Sequence, residues 1–149
     1  MKHRWAALVT VLALGAVMPA IAGAQERPQA PREQRSAFEL RQNYPNPFNP
    51  STTIPFTIGD PPACTDAGTH VVTLEILNVL AQLVAVPLLQ GGDVAAGQPL
   101  RNVSLRCGQY TAFWNGNYRD TSTEVASGVY LYRLIVDGRA QVRKMLVTK

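Results

Sequence analysis

Histidine and cysteine are scarce in this chain of 149 residues, which has two of each. Beyond the N-terminal region the single histidine is His70, so a serine–histidine–aspartate triad or a cysteine–histidine pair would have to use it. His70 stands at the start of an alternating segment, and a catalytic histidine needs partners in a working geometry, so a structural role is favoured. No cysteine and histidine spacing typical of a zinc site is present.

Clusters of charged residues of one sign are also absent from the sequence. The ten acidic residues are isolated along the sequence, with no close pair of carboxylates for general acid–base chemistry. The basic residues are scattered, and the formal net charge of +4 falls to +2 without Lys2 and Arg4. These features argue against nucleic-acid binding. The sequence therefore predicts a protein that is not an enzyme and has no cofactor, metal or small-molecule substrate.

The longest uncharged run lies at the N-terminus. Lys2, His3 and Arg4 precede an apolar stretch from Ala6 to Met18, as in a secretory signal peptide. The small residues Ala22-Gly23-Ala24 then match a cleavage site. We therefore predict that residues 1–24 are removed and that the mature chain begins at Gln25.

A membrane anchor is the alternative for this run, because the 20 uncharged residues from Trp5 to Ala24 are close to spanning length. Pro19 and the alanine and glycine content favour the signal peptide. No cysteine lies near the cleavage point, which argues against a lipoprotein anchor. We expect export through the inner membrane, transit through the periplasm, a final place at the cell surface or outside the cell, and no stable membrane span after processing.

Residues 25–37 differ in composition from the rest of the exported chain. They have two prolines, five charges and no apolar periodicity. Such a segment cannot bury enough apolar surface to fold, so we predict a flexible linker. One globular domain is then expected over residues 38–149.

Short alternating runs separated by turn residues fill this domain. They predict an all-β fold, a small immunoglobulin-like antiparallel β-sandwich of about 6–8 strands. The dipeptide Asp137-Gly138 predicts a hairpin before a last strand, AQVRKMLVTK. The runs place on shared inward faces Ile54, Phe56, Ile58, Val72, Leu74, Ile76, Tyr110, Ala112, Trp114, Tyr130, Tyr132, Leu134 and Val136. The aromatic residues of this set could stack on a sugar or a base, but their spacing favours the core.

Prolines and one ambiguous segment refine the pattern. Pro55 in STTIPFTI cannot donate to a sheet ladder, so we predict an edge strand with Pro55 facing out. Pro87 in QLVAVPLL likewise indicates an edge or a bulge. The segment LEILNVLAQLVAVPLL also fits helical spacing, but its β-branched residues, Asn78 and Pro87 favour two strands with a turn between them.

The stretch NYPNPFNP at residues 43–50, here the Asn-Pro segment, holds three prolines and three asparagines in eight positions. Each proline restricts itself and the residue before it, and asparagine side chains bond nearby backbone groups. We therefore predict a stiff, extended entrance to the first strand.

Five blocks in order, NYPNPFNPSTTIPFTI, VTLEILNVLAQLV, GQYTAFWNG, ASGVYLYRL and RKMLVTK, resemble one family. It is the C-terminal sorting domain of the bacterial type IX secretion system (type A), which overlaps with the immunoglobulin-like domain of flagellar hook-cap proteins. The resemblance covers nearly all of residues 40–149.

The resemblance implies a non-catalytic targeting module recognised by the outer-membrane translocon. It also implies a sortase that removes the domain and attaches the cargo to surface lipopolysaccharide. In this family the Asn-Pro segment marks the boundary between linker and sandwich, and the translocon reads the extreme C-terminus. The residues of this chain singled out by the resemblance are Asn43, Tyr44, Pro45, Asn46, Pro47, Phe48, Asn49, Pro50, Gly128, Tyr130, Lys144 and Lys149.

Two departures from the family pattern have structural consequences. Family members usually have glycine where this chain has Ala81, and alanine tolerates positive φ poorly, so we expect a different turn type there. The inserts DPPACTDAG and QPLRNVSLRC each bring one cysteine. Export permits disulfides and only one intramolecular pair exists, so we predict a Cys64–Cys107 bridge. Two buried free thiols are the alternative.

A further departure concerns cargo. Only 13 residues separate the expected cleavage site from the domain. Either the gene is a fragment of a longer one or the domain acts alone. The alternative function is therefore a stand-alone structural or adhesive immunoglobulin-like protein of the cell envelope, similar to a hook-cap domain.

Overall fold

The computed structural model describes residues 38–62, 64, 67–91, 96–119 and 121–149, all within the compact unit Gln34–Lys149. The expected leader, its cleavage point between Ala24 and Gln25 and the expected linker lie outside the described residues. The strands are β1 (Phe38–Leu40), β2 (Thr52–Ile58), β3 (Thr69–Leu77), β4 (Leu83–Ala85), β5 (Leu88–Gln90), β6 (Val103–Arg106), β7 (Gly108–Trp114), β8 (Gly128–Val136) and β9 (Arg139–Val147).

These strands form two antiparallel sheets. The first sheet has the order β1-β2-β7-β5, and the second has the order β4-β3-β8-β9, with β6 also paired to β3. The predicted all-β sandwich is confirmed. The three-residue strands β1, β4 and β5 bring the number of strands among the described residues to nine, above the expected range. No helix long and apolar enough to cross a membrane occurs in the part of the chain that the structure describes.

The core consists of the inward faces of both sheets. Eleven of the thirteen predicted core positions are buried, and the other two, Tyr110 and Tyr130, are partly buried and pack against the core. The aromatic residues of that set therefore lie in the core or pack against it, as their strand spacing favoured.

Pro55 corrects the prediction of an edge strand, because β2 lies between β1 and β7. The ring does face away from the core, since Ile54 and Phe56 on either side point inward. Arg41 N donates to Pro55 O at 3.0 Å, but proline has no N–H to return to Arg41 O. The Tyr132 hydroxyl, from the other sheet, donates to Arg41 O at 2.9 Å instead. A side chain thus replaces the missing donor and lets proline occupy an inner strand.

The segment around Pro87 is two strands rather than the single one predicted. β4 lies at the edge of the second sheet and β5 at the edge of the first, so the chain crosses between sheets at Val86 and Pro87. Pro87 O accepts a hydrogen bond from Leu100 N at 2.9 Å. Pro87 therefore lies in the connection between two edge strands, and not within a strand as predicted. The helical alternative for this segment is wrong.

Residues in the left-handed region occur in both turns for which the sequence made a prediction. Asp137 and Gly138, with φ of 48° and 81°, join β8 to β9 as the predicted two-residue hairpin. Ala81, in the β3–β4 turn, has a φ of 59°. Alanine therefore adopts the positive φ itself, and the expectation that it would avoid this conformation is wrong.

The edges of the two sheets meet at β1 and β9. Gln141 Oε1 accepts from Leu40 N at 2.8 Å, and its Nε2 donates to Phe38 O at 2.8 Å. Arg143 Nε donates to Leu40 O at 2.6 Å. The side chains of β9 therefore satisfy the outer backbone groups of β1, which protects that edge from pairing with other chains.

Candidate functional site

The Asn-Pro segment binds the C-terminal end of β9. Phe48 N donates to Leu146 O at 3.0 Å, and Thr148 N donates to Phe48 O at 3.0 Å. The Asn46 side chain accepts from Leu146 N through Oδ1 at 2.9 Å. The two blocks, separated by 100 residues in sequence, therefore form one continuous surface.

The segment is bent rather than extended, which corrects the prediction of an extended entrance. Asn43 is 2% exposed, and its Nδ2 donates to Pro45 O and to Thr52 Oγ1, both at 3.0 Å. Thr52 Oγ1 in turn donates to Pro45 O at 2.9 Å. Asparagine side chains that bond nearby backbone groups hold the bend, as the composition of the segment suggested.

Tyr132, in β8 of the second sheet, fixes the start of the Asn-Pro segment. Its hydroxyl accepts from Asn43 N at 3.1 Å while it donates to Arg41 O. Burial raises the pKa of the Tyr132 hydroxyl, although the Asn43 N–H and the positive charge of Arg143 act in the opposite direction. The hydroxyl therefore keeps its proton at neutral pH and remains a donor to Arg41 O.

Phe48 anchors the middle of the segment in the core. It is 1% exposed, and its ring meets that of Trp114 edge to face at 5.4 Å between centroids. Trp114 contacts Tyr130 in the same way at 6.0 Å. The aromatic chain links the segment to β7 and β8, so its exposed residues stand on a rigid base.

Gly116 is a residue of this site that sequence reasoning missed. A Cβ built on it would lie 2.2 Å from Pro50 O, and its φ is 78°. Only glycine allows the backbone of the segment to approach so closely. The dipeptide Asn115-Gly116 at the end of the GQYTAFWNG block was the available signal.

The remaining candidates lie around this surface. Tyr44 pairs with Thr53 and is 78% exposed, and Pro45, Asn46, Pro47, Asn49 and Pro50 are also exposed. On β8, Gly128 pairs with Val147 and Tyr130 with Met145. Lys149 Nζ lies 3.4 Å from Glu124 Oε2.

Lys144 lies farther back along β9 than the other candidates. It pairs with Leu131, and its backbone oxygen accepts from Gln42 Nε2 at 3.2 Å. The structure thus brings the Asn-Pro segment, Gly128, Tyr130 and Lys149 together at one end of the sandwich, here the motif end, with Lys144 on the strand that leads to it.

The predicted disulfide is confirmed and lies at the opposite end. Cys64 and Cys107 are bonded, with 5.5 Å between their Cα atoms. A Cβ at Gly59, whose φ is 72°, would lie 2.7 Å from Cys107 Sγ. Glycine therefore makes room for the bridge next to β7. The alternative of two free thiols is wrong.

His70 has a structural environment at that same end. Its Nδ1 lies 2.6 Å from Asp137 Oδ2, and Asp137 Oδ1 accepts from Val71 N at 2.9 Å. The hydrogen bond from His70, followed by that from Val71 N, holds the pKa of the Asp137 carboxyl below its usual value. The pair therefore fastens the β8–β9 hairpin to β3. Within the described ranges, no three histidine, cysteine or acidic side chains are grouped to hold a metal ion.

Comparison with known proteins adds little. Neither a family model nor a curated protein matches the chain. Among solved structures it is similar to the Pseudomonas fluorescens alkylpurine DNA glycosylase AlkC bound to DNA containing an abasic site analog, with a TM-score of 0.42 and 16% identity. The match covers 76% of this chain and 31% of that chain. A similarity this low supports no conclusion about either fold or function.

Proposed function

We propose that residues 38–149 form a non-catalytic sorting domain, recognised by the outer-membrane translocon of the type IX secretion system. A sortase is the second protein partner, which removes or anchors the exported protein. The observation that carries this proposal is the direct bonding of the Asn-Pro segment to the end of β9. These two blocks are the parts of the chain that the family resemblance connects most closely with sorting.

The geometry of the motif end supports recognition of a folded shape. Phe48 and Asn43 are buried and hold the segment, whereas Tyr44, Asn46 and Leu146 are exposed around it. A partner that touches this end therefore contacts both blocks at once, in an arrangement that only the folded domain supplies. Rigid presentation lowers the entropy lost on binding.

A reporter experiment tests the proposal. A fluorescent protein is inserted between residue 25 and residue 38, and the fusion is produced in a bacterium with a type IX translocon and in a matched strain that lacks it. We expect the reporter at the cell surface only in the first strain. Equal surface display in both strains, or retention in the periplasm of both, would contradict a sorting role.

The same experiment separates the alternative function. A stand-alone envelope protein would reach its place independently of the translocon and would remain uncleaved. Surface protease accessibility together with the mass of the released protein distinguishes a sorted, processed fusion from an intact structural component.

A further inference from the structure

The turn between β3 and β4 presents two aliphatic side chains to solvent. Val79 and Leu80 are 67% and 74% exposed, the highest values among the large aliphatic residues in the described part of the chain. Turns ordinarily use Gly, Pro, Asn, Asp or Ser, and valine is conformationally stiff. Residues that break local sequence preferences in this way are concentrated at functional sites.

Hydrogen bonds between Asn78 and the next residues of the turn hold it in one conformation. Its Oδ1 accepts from Leu80 N at 3.0 Å and from Gln82 N at 2.9 Å. Its backbone N donates to Gln82 O at 3.0 Å, and its backbone O accepts from Ala81 N at 3.0 Å. Val79 and Leu80 are therefore presented on a preorganised backbone, which reduces the ordering cost of binding.

The turn follows the end of β3, and β8 and β9 carry other apolar residues on the outer face of the same sheet. Tyr130, Tyr132 and Met145 point into the core, so the residues that alternate with them on β8 and β9 point outward. Val129 pairs with Leu146, and these are 47% and 39% exposed. We define the apolar patch as the exposed or half-buried residues Val79, Leu80, Val129, Leu131 and Leu146.

Leu77 links the turn to the strands of this patch. It pairs with Leu131 across β3 and β8 and is 4% exposed, yet it does not belong to the main core cluster. It is therefore buried on the outer side of the sheet. The patch lies at the motif end, because β3 ends beside the part of β8 that pairs with the last residues of β9.

The charged residues beside the apolar patch indicate the kind of partner that would bind it. Lys144 pairs with Leu131 and has no ion-pair partner among the described residues, whereas the nearby Arg133 is paired with Glu75 at 2.7 Å. A single cation beside apolar side chains complements an apolar pocket flanked by a carboxylate. A lipid surface is disfavoured, since interfacial binding depends on clustered basic residues and aromatic side chains, whereas the apolar patch consists of valine and leucine beside Lys144.

We propose that the apolar patch docks into an apolar pocket of a protein partner, with a carboxylate of that partner against Lys144. This inference rests on the proposed function, since the partner is the component of the export machinery that receives the folded domain. Val79 and Leu80 enter the pocket, and the Asn-Pro segment lies beside its rim.

The test uses the reporter fusion with Val79→Ser and Leu80→Ser together. Val71→Ser is the matched control, because Val71 is 49% exposed on β3 at the other end of the sheet. We expect the melting curves of both variants to superimpose on that of the unsubstituted fusion. The control should be exported normally, whereas surface display of the double variant should fall at least about tenfold. Normal export of the folded double variant overturns the docking proposal and leaves the sorting proposal standing. Failure of the unsubstituted fusion to reach the surface overturns the sorting proposal, and with it the export machinery as the partner of the apolar patch.

A binding measurement decides the docking proposal independently of export. Labelled mature protein is bound to detergent-solubilised outer membranes of the type IX-positive bacterium and displaced with unlabelled protein. We expect that displacing the labelled protein takes at least about a tenfold higher concentration of the double variant than of the unsubstituted protein. The Lys144→Glu variant should also displace it poorly. Equal displacement by the double variant overturns the proposal.

Two further measurements exclude other occupants. Flotation with vesicles of phosphatidylethanolamine and phosphatidylglycerol tests a lipid surface, and sedimentation tests a second copy of the chain. Vesicle binding or dimerisation that the double variant abolishes would assign the patch to that occupant and overturn the proposal. Their absence, together with the displacement result, supports the protein pocket.

Discussion

Tyr132 connects more distant parts of the domain than any other single hydroxyl described above. It lies in β8 of the second sheet, is fully buried, and bonds Arg41 O and Asn43 N at the entrance to the Asn-Pro segment. Pro55 creates the need for this donor, because it leaves Arg41 O without a ladder partner. One phenol therefore makes an inner-strand proline tolerable and fixes the start of the segment.

Tyr132→Phe should lower the free energy of unfolding by about 1–3 kcal/mol, because the aromatic ring stays while Arg41 O and Asn43 N lose their partner. Tyr130→Phe is the control, since the Tyr130 hydroxyl donates to the exposed Ala126 O and water can replace it. We expect the control to stay within about 0.5 kcal/mol of the unsubstituted protein. Urea denaturation measures both, and equal losses would contradict the role assigned to the buried hydroxyl.

Ala81 is a residue whose substitution should stabilise the domain. Its φ of 59° places a Cβ in the left-handed region, which glycine occupies without that steric cost. Ala81→Gly should therefore raise the free energy of unfolding by about 0.5–1 kcal/mol, after the loss of backbone entropy is included. Ala140→Gly, at an exposed strand position, should instead be destabilising by a similar amount. Destabilisation by both substitutions in thermal denaturation would show that the turn does not favour glycine.

At the scale of elements, the stability of the β8–β9 hairpin should depend on pH through the carboxyl group of Asp137. Its pKa is lowered in the folded protein, chiefly by the hydrogen bond from His70. A depressed pKa contributes stability above the unfolded-state value of about 4, and this contribution is lost as the pH falls through the lower folded-state value.

Asp137→Asn removes this titration and keeps a residue that suits the turn. We expect the unsubstituted protein to lose more stability than the variant on acidification from about pH 5 to about pH 2. Melting temperatures over this range measure the difference. Parallel curves for the two proteins would mean that the His70–Asp137 contact does not contribute to the stability of the hairpin.

The disulfide acts between the loop that follows β2 and the start of β7. It joins residues separated by 43 positions, so it restricts the unfolded chain by about 4 kcal/mol in the entropic description. The double substitution Cys64→Ser and Cys107→Ser should lower the free energy of unfolding by up to about that amount. Denaturation of the unsubstituted protein with and without reductant should show the same difference in the free energy of unfolding.

Chemical labelling provides the check on the bond itself. Intact mass after alkylation of the unreduced, denatured protein should show no modified cysteine, and reduction should expose two. Two alkylated cysteines before reduction would contradict the bridge.

At the scale of the whole molecule, the two lysines near the C-terminus test recognition separately from folding. Lys144 and Lys149 are exposed, and the ion pair of Lys149 with Glu124 lies at the surface. Lys144→Gln with Lys149→Gln should therefore change stability by no more than about 0.5 kcal/mol. We expect this variant to lose surface display of a fused reporter if the translocon reads these cations.

Arg106→Gln is the matched control, because Arg106 is exposed on β6 at the end that carries the disulfide. It should be exported normally. Normal export of the folded lysine variant would rule out a recognition role for Lys144 and Lys149, including the contact of Lys144 that the docking proposal assigns, and Val79 and Leu80 would remain to be tested by their own variants.

The sequence by itself determined the all-β class, the inward faces of the long strands, the β8–β9 hairpin and the cysteine pairing. Alternation of apolar residues is a local property, so it identifies the buried face of Val72, Leu74 and Ile76 without knowledge of their partners. The hairpin follows from two adjacent residues, and the bridge follows from having only two cysteines in the chain.

Only the tertiary structure decided which strands are neighbours. The position of Pro55 in an inner strand, the crossing of the chain between sheets at Pro87 and the bonding of the Asn-Pro segment to β9 all depend on residues far apart in sequence. Pro55 is tolerated because a hydroxyl 77 positions later, on Tyr132, lies beside Arg41 O. Local patterns fix which side of a strand is buried, but the choice of partner depends on long-range contacts that close large loops, and no short stretch of sequence records them.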